Sequence, residues 1–160
     1  MPGTAALLAL LGFAAPPPAA AGQGRRFTVL ELGAGATVVA ARSTFSGVEL
    51  GVARRLGSGL TRLALGAAGG VYEGRAGMRL AATAQFLLRP TAQSGAGPYG
   101  GLGVAFAGAA GTRGAGYLVL VVGVEAAPGR REGWYGELGL AGGVRAVAGW
   151  RWRRFPEWWR

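Results

Sequence analysis

Nine charged residues recur at spacings that allow them to meet inside a folded chain: Glu31, Glu49, Glu125 and Glu137, with Arg55, Arg62, Arg79, Arg145 and Arg151. Carboxylate and guanidinium pair strongly, often through two hydrogen bonds, so this set can form interior ion pairs or a gate whose pairs rearrange to pass small ions. We expect interior pairing that fills and stiffens the fold, because an unpaired charge in a narrow interior costs several kcal/mol. Catalysis has little to draw on. The chain contains no His, Cys or Asp, which removes imidazole and thiolate metal sites, Ser-His-Asp and Cys-His nucleophiles, and aspartyl dyads. Ser43, Thr44 and Ser46 lie close together with no His or Asp to activate them, so a lipid-modifying activity is not expected. No enzyme, cofactor or metal is therefore expected. The Gly-x-Gly patterns at 33–35 and 101–103 open no helix of a βαβ unit, and read instead as bends or close approaches between strands.

The elements that must position these charges are short strands. From residue 27 the chain divides into segments separated by glycine- or proline-bearing turns, at 27–41, 45–56, 60–73, 78–89, 99–109, 117–126, 134–140 and 144–153. Side chains alternate across a strand, so parity sorts each segment into two faces. Leu30 and Leu32 oppose Glu31, and Val48 and Leu50 oppose Glu49 and Arg55. Leu80 and Phe86 oppose Arg79, while Leu118, Leu120 and Val122 oppose Glu125. In the last segment Trp150 and Trp152 oppose Arg145, Arg151 and Arg153. A hairpin centred near Ser43 would set Glu31 opposite Arg55, and closure of the last strand on the first would bring Arg151 to the same level.

Which face points inward follows from composition. Of 160 residues 51% are apolar and 32 are glycine, and the face opposite the Leu/Val face carries small residues broken by isolated charges. A water-facing surface would carry Lys, Asp, Asn, Ser and Thr instead. A narrow interior accepts such a small-and-charged face, while the apolar face meets hydrocarbon, which requires a closed sheet. No stretch beyond the N-terminus approaches the roughly 20 uncharged apolar residues of a spanning helix. We therefore expect an all-β, closed, antiparallel, up-and-down transmembrane barrel of about eight strands. The alternative is a soluble secreted barrel binding a small apolar ligand, with the Leu/Val face turned in.

Residues 5–15, AALLALLGFAA, followed by PPPAAAGQG, read as the core and cleavage region of a signal peptide spanning 1–21, with the barrel at 22–155 and a tail at 156–160. Export follows from that. All 17 basic residues are arginine and all seven acidic ones glutamate, a bias that fits a GC-rich genome, and the net charge of +10 favours anionic partners such as lipopolysaccharide phosphates. Trp134, Trp150 and Trp152, together with tyrosines read at strand mouths, suit the bilayer interface. The tail RWRRFPEWWR mixes arginine with stackable tryptophan, and for an exported chain anchoring at a membrane surface is expected rather than nucleic-acid binding.

On this alternation and the aromatic-rich final strand, 144–155, the chain resembles the small outer-membrane barrels, the class that includes the transmembrane domain of outer membrane protein A. The resemblance implies an outer-membrane location, outer-membrane lipid as obligatory partner, and a barrel-assembly machinery that reads a terminal aromatic residue. Here Phe155 has interior parity and residues 156–160 follow it.

Overall fold

The computed structural model describes residues 27–159, and the signal-peptide expectation for residues 1–21 lies outside them. Eight strands follow in order: β1 Val29–Ala40, β2 Phe45–Leu56, β3 Thr61–Tyr72, β4 Arg75–Leu87, β5 Ala96–Ala109, β6 Ala115–Ala126, β7 Glu132–Leu140 and β8 Val144–Arg154. Each pairs antiparallel with its sequence neighbour, and β8 closes on β1. Four strands start two or three residues earlier than alternation alone places them, at Arg75, Ala96, Ala115 and Glu132. Ladder pairing with a neighbour recruits residues that carry no hydrophobic signal, such as Gly97 opposite Glu125. The turn between β3 and β4 shrinks to Glu73 and Gly74, with φ of 49° and 78°, as a tight two-residue hairpin requires.

The β1–β2 register differs from the hairpin centred near Ser43. Glu31 lies opposite Ala53, and Arg55 opposite Val29. Across the closure Glu31 faces Arg153, whereas Arg151 faces Gly33. The turn occupies residues 41–44, which moves the pairing by two residues. A shift of two preserves the face of every side chain, so the alternation survives the change of register.

The two faces have opposite chemistry. Leu118 is 81% exposed and Val122 64% on the outer wall, while Arg55 and Glu125 are fully buried inside. One end of the barrel, here called the terminal end, carries the start of β1, the finish of β8 and the β2–β3, β4–β5 and β6–β7 turns. The opposite, hairpin end is filled by apolar side chains, with Val39, Phe45 and Ala68 packed beside Tyr72, and Ala105, Val119 and Ala141 packed beside Ala81. At the terminal end the tail folds back on the barrel. Phe27 lies 4.8 Å from Trp159 and 6.0 Å from Phe155, and Trp159 Nε1 donates to Gly129 O at 3.3 Å. Phe155 thus joins an aromatic cap just past β8 rather than the outer wall, which accounts for its interior parity.

Closing so few strands forces neighbours together where they bend inward, and glycine marks the tight places. Gly35 and Gly149 are opposite each other, and a methyl group on Gly149 would come 2.7 Å from Gly35 Cα. Backbone cannot rotate away as a flexible side chain can. Gly69, on the outer face, has open space around its missing side chain. Gly149→Ala is expected to destabilise the barrel by about 1–3 kcal/mol, and Gly69→Ala to leave it as stable or slightly more so, as read by urea unfolding in detergent micelles. Equal stability of the two variants would refute this account of closure.

Candidate functional site: the charged interior

Interior parity on seven strands delivers charges to the same space. β1 supplies Glu31, β2 Glu49 and Arg55, β3 Arg62, β4 Arg79, β6 Glu125, β7 Glu137, and β8 Arg145 and Arg151. All are buried except Glu49, which is half-buried. Eight of the nine interlock through ion pairs, and Arg79 does not join them.

Glu31 and Glu125 form the hub nearer the terminal end. Glu31 Oε1 accepts from Arg55 Nε, and its Oε2 accepts from Arg62 Nη1 at 3.0 Å. Glu125 Oε2 accepts from Arg62 Nη1 at 3.0 Å, Arg151 Nη1 at 2.6 Å and Arg153 Nη2 at 3.0 Å. Its other oxygen lies 3.4 Å from Arg55 Nη2. Towards the hairpin end Arg145 is held between two carboxylates, Glu49 at 2.7 Å and Glu137 at 2.8 Å. Arg151 Nη2, 3.6 Å from Glu137, links the two groups.

Four arginines around two glutamates leave local positive charge, and neutral groups disperse it. Arg55 Nη1 donates to Pro90 O and Arg62 Nε to Gln85 Oε1, both at 2.7 Å. The Arg62 guanidinium lies 4.4 Å from the centre of the Tyr99 ring, and that of Arg151 lies 4.3 Å from Tyr135. Aromatic faces carry partial negative charge and attract cations most strongly where water is excluded. Arg79 relies on such contacts alone, donating to Ala141 O beside the rings of Phe45 and Tyr117.

Several participants escape a reading that looks for charge pairs. Arg153 has the same parity as Arg145 and Arg151, and that signal was sufficient to include it. Tyr99 and Tyr135, read as mouth residues, sit in the interior at 3% and 5% exposure, and Tyr99 Oη donates to Glu137 at 2.8 Å. Interior parity could have found them too, but Gln85 and the Pro90 carbonyl could be found only from the three-dimensional arrangement.

On the outer wall Leu30, Leu32, Val48, Leu50, Leu80, Phe86, Leu118, Leu120 and Val122 are all exposed, as are Trp134, Trp150 and Trp152. The remaining interior space is a cavity of about 70 Å³ lined by Glu49, Arg79, Tyr135, Glu137, Arg145 and Arg151 among others. It suits a few bridging waters. The ion pairs span the lumen between this cavity and the terminal end, so the arrangement braces the wall from within.

The hub and its periphery differ in consequence. Removing a fully buried carboxylate strands several cations, whereas Glu49 has side-chain access to solvent and one arginine partner. Glu125→Gln is expected to lose about 3–5 kcal/mol of stability, and Glu49→Gln clearly less, by the same urea assay. A Glu125→Gln barrel as stable as the parent would show that the network contributes no net stabilisation.

No family model matches the chain, and no curated protein is similar to it by sequence. Solved structures are similar in fold. The N-terminal β-barrel domain of OprF from Pseudomonas aeruginosa superposes with a TM-score of 0.61 at 14% identity, covering 81% of this chain and 100% of that one. The outer membrane protein OprG from Pseudomonas aeruginosa gives 0.57 at 12% identity, covering 83% and 99%. The chain therefore has the closed, eight-stranded fold of small outer-membrane barrels.

Proposed function

We propose that the chain is a transmembrane barrel of the outer membrane with a structural or interaction role and no enzymatic activity. The observation that carries this reading is the polarity of the wall. Leucines, valines and tryptophans cover the outside, while glutamates and arginines are sealed within. In water that arrangement would leave a large apolar surface unburied and draw the charges away from solvent, both costly. In a bilayer the same wall is matched by lipid tails, and closure leaves the sheet no free edge strand. Lipid is then the obligatory partner, and a barrel-assembly machinery the route of insertion.

The ligand-carrier alternative loses its support, because it needs the Leu/Val face as a pocket lining. A narrow ion pore is disfavoured by the interlocked pairs and the small volume of the interior cavity. Nucleic-acid binding through the tail is disfavoured by the seating of Trp159 and Phe155 against Phe27.

Folded barrel should migrate differently on detergent gels before and after boiling. With bimane attached at Leu50→Cys or Leu120→Cys, brominated lipid should quench the fluorescence strongly, and with the label at Ser58→Cys, in an exposed turn, only weakly. The native chain contains no cysteine, so each label is unique. Failure to partition into vesicles, with Leu50 and Leu120 labels unquenched, would overturn the membrane reading. In planar bilayers the parent is expected to show no steady conductance.

A further inference from the structure

Tryptophan on the outer wall is not distributed as a girdle. The strand-borne tryptophans, Trp134, Trp150 and Trp152, lie on the neighbouring strands β7 and β8, all towards the terminal end. Trp134 pairs directly opposite Trp150, and Trp152 follows two residues on, opposite Glu132. An aromatic belt that only locates a barrel in the bilayer rings it on all sides. Indoles confined to one flank mark a place.

That flank borders an open groove of about 850 Å³, lined by Arg130, Arg131, Glu132, Trp134 and Trp150, with Trp159 of the tail closing one side. Arg130 and Arg131 sit in the β6–β7 turn and are exposed, and their guanidiniums pair with no carboxylate among the described residues. Their backbones are held in place, since Arg153 N donates to Arg131 O at 2.5 Å and Arg153 Nη1 to Arg130 O at 3.3 Å. Arg154 and Arg89 are exposed at the same end, as are the carboxylates of Glu132 and Glu157. The groove thus has a cationic rim above an apolar aromatic wall.

We infer that this groove binds an anionic glycerophospholipid, with the phosphodiester held by Arg130 and Arg131 and the acyl chains lying against Trp134 and Trp150. Guanidinium grips phosphate oxygens through paired hydrogen bonds, and indole rings favour the zone between headgroup and tail. Adjacent strands are about 4.8 Å apart, so a wall two strands wide suits the two chains of one phospholipid rather than the larger acyl set of lipid A. The inference rests on the membrane reading above and adds a lipid class and a position to it.

The test is native mass spectrometry of the detergent-purified barrel, titrated separately with phosphatidylglycerol, phosphatidylcholine and lipid A. Phosphatidylglycerol should bind at one site about thirtyfold more tightly than phosphatidylcholine, the size expected from two surface guanidiniums. Arg130→Gln/Arg131→Gln should abolish that preference. Arg42→Gln/Arg113→Gln, which removes the same charge from the hairpin end, should keep it, and Glu132→Gln should strengthen it. Equal loss in both double variants would reduce the effect to net charge and overturn the site, as would tighter binding of lipid A. Heat-modifiable migration separates the two levels of the proposal. A barrel that folds and inserts yet shows no lipid preference refutes this site alone, whereas one that does not insert refutes the membrane reading.

Discussion

Hydrocarbon offers no hydrogen bonds, so a sheet placed in it must leave no edge, and the return of β8 to β1 meets that requirement. Much else in this chain follows from closure at eight strands. The circumference leaves an interior only wide enough for the side chains that point into it. Bulky groups cannot occupy every inward position, hence the glycines and alanines, with Gly35 and Gly149 facing each other where the strands approach closely. The outward face is released from any such limit and carries leucine, valine and tryptophan freely.

Filling the remaining space with charge is expensive unless each group is matched, and the match here extends beyond ion pairs. Arginine exceeds glutamate in the interior, and the excess is spread over Tyr99, Tyr135, Gln85 and backbone carbonyls. Guanidinium suits this role better than ammonium, since it stacks on rings while donating hydrogen bonds in its plane. Codon bias can account for the absence of lysine without selection, but the geometry makes use of the residue that results. Cross-links between strands distant in sequence, such as Arg55 of β2 to Glu125 of β6, tie the wall across its diameter.

The two ends are finished by different means. Apolar side chains around Phe45 and Val119 fill the hairpin end, where turns are short. At the terminal end the ion-pair hub lies beneath a cap built from Phe27 and the tail. Charge on the exterior follows the same division of labour: arginines occupy the rims, and none interrupts the mid-wall rows through Leu50, Leu80 and Leu120.

By itself the sequence determined the faces. Strict alternation, as in Leu30, Glu31, Leu32 or Leu118 to Glu125, assigns each side chain to wall or interior, and a period of two is a local property that any strand obeys. Parity also carried Arg153, Tyr99 and Tyr135, although charge pairing and proximity to turns drew attention elsewhere. Strand starts at Arg75, Ala96, Ala115 and Glu132 were not legible, because a neighbour's ladder, rather than their own hydrophobicity, makes those residues extended. Register, and with it every contact, was decided by tertiary structure. Glu31 meets Arg55 across a diagonal and Arg62 from two strands away, since long side chains converge on the barrel axis wherever closure brings the strands together.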